Sequence, residues 1–431
     1  METKYAFLSR RQKWLTFSLL MFVMLFLIIG IIADSTGKAS SQTVAGSGDM
    51  QSYLPLFKLD PTATPASTPT PVPTATPIPP VPQFVKNVEL PNAQCPNAVG
   101  FNAVSGYVYI ANNFSSNVSA FKNTNFIKNI ATGEWPTLIA ADNDSPLTYV
   151  TVLHGDVTAI DGTTVVGSVP NYYEPYGVAV NPVNGYAYVT DLDSAVQVIN
   201  GTSLITNIPI TDPDGSPPNN GAGWLQAVVV DPDTGLVYVT SWSHGKMYVL
   251  DGTGVIADYR AGWGIKDMAL DADRDYIYLA HSDPNATYPH NISVFHIPTQ
   301  TFTYIDTDPG VINKSRDVAV DPISGYAYVS NHNEDTVTVL LGPQVITTLP
   351  AGDTPWHVAV NPNTGYVFVT NLKSNDITVI KGLSVVTTIP AQGLQPFAVG
   401  VDTTNNDVYI ANRGEEYDLF QCRDASVTIL R

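Results

Sequence analysis

From about Phe84 onward, short stretches of alternating apolar and polar residues follow one another at a nearly constant spacing. The clearest copies are YGVAVNPVNGYAYVTDLDSAVQVINGTSLITNIP (176–209), DVAVDPISGYAYVSNHNEDTVTVLLGPQVITTLP (317–350) and WHVAVNPNTGYVFVTNLKSNDITVIKGLSVVTTIP (356–390). A period of two marks a strand with one face buried, and each copy resolves into four such strands. An inner strand such as VAVN leads into an Asn/Asp-Pro-x-x-Gly turn. A second strand such as YAYVT alternates aromatic and β-branched residues. A third, such as TVTVL, ends at a short glycine turn like Asp251-Gly252, and a fourth, such as VITTLP, stops at proline. Proline presets φ at these turns, and glycine takes positive φ without a steric penalty.

Aligned on the aromatic position of the second strand, the copies give Tyr109, Tyr149, Tyr188, Tyr238, Tyr278, Tyr328, Phe368 and Tyr409, about 40 residues apart with two intervals of 50. Four short strands at that period predict an all-β fold, a β-propeller of four-stranded antiparallel blades. Such sheets cannot bury both faces alone and must stack in a ring. Eight inner-strand copies predict eight blades. Seven is the alternative, because the second copy (Thr137–Pro170) is degenerate. The repeat region begins with a stray fourth strand, FVKNVEL (84–90), and ends on a third strand, SVTIL (426–430). Pairing the two in one composite blade would close the ring and leave no free edge there.

These units resemble the YVTN-family β-propeller repeat, which reads roughly V-A-V-x-P-x-T-G-x-V-Y-V-T-N and then x-V-x-V-I-D. Val369-Thr370-Asn371 and Val329-Ser330-Asn331 stand at its signature. The resemblance covers nearly everything after residue 84 and implies the fold. The family spans cell-surface and surface-layer proteins, lactonase-like enzymes and lyases, so the likeness implies little about chemistry.

The segment before the repeats changes the picture. Lys4, Arg10, Arg11 and Lys13 precede an uncharged run over 14–33, WLTFSLLMFVMLFLIIGIIA. That run is long enough to cross a bilayer as a helix, and its basic flank (1–13) should stay in the cytoplasm. A cleaved signal peptide, with small residues near Ala33 or Ala39, is the rival reading, and would make the protein secreted. Residues 34–83 are polar and then Pro/Thr-rich, which predicts an extended stalk. The repeats, 84–431, would then stand outside the cytoplasm. The formal net charge of −18 argues against nucleic acid as a partner, since that function requires a basic footprint.

Two cysteines, Cys95 and Cys422, fall on the same face of the expected closing junction. A disulfide between them would lock the ring, and an exported compartment permits it. Closing so long a loop contributes on the order of 4–5 kcal/mol in the chain-entropy model. Two free thiols are the alternative. No C-x-x-C spacing suggests a metal site.

In a propeller, the first-to-second and third-to-fourth turns share one face, here the bottom. The second-to-third loops and the blade connections share the top. All conspicuous insertions fall on top: Thr211–Gly223, His281–Asn291, Asp306–Ser315 and Arg413–Arg423. Long loops on one face of a rigid scaffold are where binding resides. Trp135, Trp224, Trp242, Trp263 and Trp356 also map there, either as anchors between blades or as an aromatic platform for sugar or peptide. Near the start of the inner strand, facing the channel, the copies carry Ala98, Leu138, Gly177, Ala227, Asp267, Asp317, His357 and Ala398. Three successive polar residues thus stand where the others are small or apolar, and the neighbouring strand ends add His281, Asn331, His332 and Asn371. Such a set could be a solvated rim, could coordinate a divalent cation through Asp267, Asp317 and His357, could hold a polar ligand, or could supply a general base. No cofactor is required beyond that cation. None of the usual hydrolase, zinc-protease, P-loop or dinucleotide motifs is present, and no catalytic residue is assigned. The leading expectation is an interaction module that meets a protein, peptide or glycan partner at the cell surface. A lactonase- or lyase-type enzyme and a structural envelope protein are the alternatives.

Overall fold

The computed structural model describes residues 79–171, 174–192, 195–210, 223–282, 290–307, 315–418 and 421–431. The expected anchor (14–33), nearly all of the stalk and most of three of the four insertions lie outside the described residues. The repeats form eight four-stranded antiparallel sheets. Blades one to seven span 96–131, 136–169, 175–209, 225–260, 265–305, 315–350 and 355–390. The degenerate second copy is a full blade, which settles the count at eight. Each inner strand packs beside the inner strands of both neighbouring blades, and the eighth returns to the first, so the sheets close into a ring.

Closure follows the expected route. Phe84–Glu89 is the outer strand of the eighth blade and pairs with Ser426–Leu430. Gln83 and Arg431 add two backbone hydrogen bonds beyond it, 2.8 and 3.0 Å. Cys95 and Cys422 form a disulfide beside this junction, with Cα atoms 5.3 Å apart.

The core lies between blades. One seam packs Tyr328, Val337 and Val339 of blade six against Val358, Val367, Val369 and Ile380 of blade seven. Burying each such side chain contributes roughly 1.5–3 kcal/mol. Bottom turns are pinned by their own side chains. Asp231 Oδ1 accepts the Asp233 N–H at 3.0 Å, and Asn361 and Asp402 repeat the contact. Gly235 completes such a turn at φ 73°, where a Cβ would be strained.

The second strand fastens the ring through three polar positions. The tyrosine hydroxyl reaches the bottom turn of the following blade: Tyr109 donates to the Gly162 carbonyl at 2.8 Å, Tyr188 to Gly252 at 2.9 Å, and Tyr328 to Gly382 at 3.1 Å. Two residues on, a hydroxyl bridges the inner strands. Thr190 accepts the Gly177 N–H at 2.8 Å and donates to the Gln226 carbonyl of the next blade at 3.1 Å. Ser330 and Thr370 do the same, reaching the Trp356 and Phe397 carbonyls. The asparagine that follows ties the second strand to the third. Asn331 Nδ2 donates to Thr338 at 2.8 Å, Asn371 to Thr378 at 2.8 Å, and Asn412 to Thr428 at 2.9 Å. The recurring tyrosine, hydroxyl and asparagine positions of the second strand are therefore fasteners for the fold.

Candidate functional site

The inner strands begin with a local irregularity. Register shifts fall between Ile265 and Asp267, Ser315 and Val318, and Pro355 and Val358. The strict alternation of faces is lost there, so two successive residues of each strand contribute to the top mouth of the channel. Blade five supplies Lys266 and Asp267, blade six Arg316 and Asp317, blade seven Trp356 and His357, and blade eight Phe397.

Asp267, Asp317 and His357 come together. Asp317 Oδ2 lies 3.0 Å from His357 Nδ1 and accepts the Val358 N–H at 2.7 Å, across the seam between blades six and seven. Its Oδ1 accepts the Val318 N–H at 2.9 Å. Asp267 Oδ2 accepts the same N–H at 3.4 Å, across the preceding seam. The two carboxyls also bond to each other. Burial, the charge of Asp317 and that shared hydrogen bond hold the Asp267 carboxyl well above the usual carboxylate range. Burial raises Asp317 as well, but the bonds it accepts from Asp267 and from two backbone N–H groups oppose the rise. The hydrogen bond between the two carboxyls requires a proton, which the pair shares. Desolvation, and then the Arg316 guanidinium, push the His357 imidazole down to about 4. A neutral His357 donates Nδ1–H to Asp317 and keeps Nε2 as an acceptor.

Around this trio stand cations and rings. The Arg316 guanidinium lies 3.9 Å from the ring centre of Trp356, Arg413 4.7 Å from that of Phe397, and the Lys266 ammonium 5.3 Å from that of Trp242. Trp356 also meets Phe397 at 5.2 Å. Burial, followed by repulsion from Arg316, pushes the Lys266 ammonium down to about 7. Tyr176 belongs to blade three, yet its phenol feels the charges of Arg316 and Asp267. These side chains therefore converge over the axis.

The other expected site residues lie elsewhere. His281 is 2 % exposed. Its Nδ1 meets the Trp263 carbonyl at 2.9 Å and its Nε2 meets Ser293 at 2.7 Å, which makes it blade five's version of the asparagine fastener. Asn331 and Asn371 are buried fasteners of the same kind. His332 stands at the rim against Trp356, ring centres 5.4 Å apart. Trp135 of blade two packs on Phe114 of blade one and on His154, whereas Trp224 stacks on Trp242 within blade four, ring centres 5.2 Å apart. Trp263 is 41 % exposed. Among the described residues no group of three His, Cys, Asp or Glu side chains is placed to hold a metal ion; Asp267, Asp317 and His357 are bonded to one another instead.

Lys266, Arg316, Tyr176 and Arg413 were not singled out from the sequence. An available signal was the residue before each aligned polar position, where the copies read Asn97, Thr137, Tyr176, Gln226, Lys266, Arg316, Trp356 and Phe397. Two cations stand there in succession, beside the two aspartates.

No known protein family and no curated protein sequence matches the chain. Among solved structures it is similar to Kuenenia stuttgartiensis hydrazine synthase, with a TM-score of 0.56 and 17% identity, over 68% of this chain and 97% of that one. At that identity the likeness shows a shared propeller architecture alone.

Proposed function

We propose that the chain is a membrane-anchored, extracytoplasmic propeller of the YVTN type. It acts as a binding module, taking a protein, peptide or glycan partner at the top mouth of its channel. The observation that carries this reading is the contrast between the two faces. On the bottom, turn carboxylates and amides are satisfied by their own backbone. On top, cationic and indole groups gather at the mouth without hydrogen-bond partners among the described residues. The chain enters the disc on the bottom, where the Tyr366 hydroxyl donates to the Pro79 carbonyl at 2.9 Å. A stalk attached there would leave the top free to meet a partner.

The test is retention of the full-length protein on immobilised cell-envelope polysaccharide and peptide. Trp356→Ala, at the mouth, should weaken retention by about tenfold or more, and Val183→Ser, in a bottom turn, should leave it unchanged. Equal effects of the two would remove the assignment to the top face. Protease added to intact cells should cut the propeller away from its anchor if the head is outside.

An enzymatic reading draws on one specific observation, the proton-sharing Asp267–Asp317 pair beside a neutral His357. It requires turnover of a lactone or an acidic sugar that Asp317→Asn abolishes.

A further inference from the structure

We propose that the channel mouth binds an anionic, hydroxyl-bearing ligand of the acidic-sugar class, whose carboxylate sits against Arg316, Lys266 and Arg413. This deepens the binding reading above and rests on it.

The chain carries a formal net charge of −18, yet the heads of three cations converge here, and none makes an ion pair among the described residues. Like charges gathered at a half-buried site repel one another and need a counter-charge. Among the described residues the carboxyls of Asp317 and Asp267 favour the charge of Arg316, and Glu416 that of Arg413, while Lys266 and Arg413 are both repelled by Arg316. The two carboxyls share a proton, and Asp317 is already engaged with two backbone N–H groups and His357. The aromatic rings set the cations in place. Arg316 lies over Trp356 at 3.9 Å, a placement that leaves the edge of its planar fork for a second partner. That edge matches a carboxylate in bidentate fashion.

Unmet hydrogen-bonding capacity points the same way. Trp242 Nε1, Trp356 Nε1 and Arg413 Nε are buried donors with no acceptor among the described residues. Each such group costs free energy until it is paired, and a carboxylate is an acceptor only. Buried Gln226 Oε1, from blade four, is an acceptor with no donor, and neutral His357 holds a second acceptor at Nε2. These two call for ligand hydroxyls. The donors and acceptors come from blades four, seven and eight, so a ligand meeting both kinds carries hydroxyls as well as its carboxylate. A bare divalent cation would face Arg316 and Lys266 and is disfavoured.

The experiment is a titration of the full-length protein with sodium glucuronate, glucose and inorganic phosphate, read by tryptophan fluorescence, since Trp242 and Trp356 lie under two of the cations. Saturable quenching by glucuronate below about 10 mM is expected. Glucose and phosphate should be weaker by about tenfold or more. Arg316→Gln should weaken glucuronate by a similar factor, and Arg316→Lys, which keeps charge without the fork, should fall between. Unchanged far-UV circular dichroism and thermal midpoint would show that the variants fold. Three results would overturn the proposal: glucose or phosphate binding as well as glucuronate, Arg316→Gln retaining full affinity, or no saturable signal at all. If glucuronate fails while polysaccharide or peptide retention still depends on Trp356, the acidic-sugar assignment falls and the binding module stands.

Discussion

His357 Nδ1 and Asp317 Oδ2, 40 positions apart in the chain, meet at 3.0 Å across a blade seam. The same carboxylate oxygen accepts the Val358 N–H. One side chain thus fixes an imidazole and joins two inner strands. This combination accounts for a polar residue standing where five other blades have small or apolar ones.

The imidazole should remain neutral well into the acid range. His357 is held at about 4, first by desolvation and then by Arg316. Its ring resonances in an NMR titration should move near pH 4. Arg316→Gln removes the nearby positive charge and should raise the midpoint. For stability, a depressed histidine contributes fully above its unfolded value of roughly 6.5, and that contribution is lost as pH falls toward 4. His357→Gln should flatten the pH dependence of the thermal midpoint in that window. A His357 midpoint near 6.5 would contradict the geometry.

Phe368 is the only aromatic of its series without a hydroxyl. The hydroxyls of Tyr109, Tyr188, Tyr278, Tyr328 and Tyr409 each bond to the turn between the third and fourth strands of the next blade. The blade after Phe368 is the composite one, whose fourth strand comes from the start of the propeller, so it has no such turn. Phe368 is 1 % exposed. Phe368→Tyr should therefore bury an unpaired hydroxyl and destabilise by about 1–3 kcal/mol. Tyr188→Phe should cost about 1 kcal/mol through the loss of one bond. Denaturant unfolding of the two variants checks both. Equal stability of Phe368→Tyr and the parent would refute this account of the missing hydroxyl.

The disulfide spans 327 residues. Cys422→Ser should lower stability by about 2–5 kcal/mol. The first unfolding under partial denaturation should occur in the composite blade. Hydrogen exchange should accordingly speed up over 84–89 and 426–430 before the other seven sheets. Uniform exchange across all blades would count against a local fastening role.

The fold was legible because its determinants recur. The Tyr, Thr and Asn fasteners, the Asx-Pro-x-x-Gly turns and the unpaired end strands each repeat or complement one another, so alignment of the copies exposes them. The mouth was only partly legible. Comparing copies drew attention to Asp267, Asp317 and His357 as departures, but an alignment shows which residues differ and says nothing of which polar groups bond. His281, Asn331 and Asn371 looked like channel residues because they are polar strand ends, whereas their hydrogen bonds run sideways within the blade. Lys266 and Arg316 were passed over because regular alternation would have turned them away from the channel. The register shifts at Ile265/Asp267 and Ser315/Val318 remove that alternation, and nothing in the residue types marks those shifts.

The composite blade also dictates an order of events. Phe84–Glu89 precedes every other strand of the propeller but finds its partner only at Ser426–Leu430, after the seven other sheets. Seven sheets can assemble as they appear, each on its predecessor, while the opening strand waits. The annulus, and with it any pocket formed by side chains reaching over its axis, comes into being only after all seven intervening sheets and the eighth blade's own strands have been made.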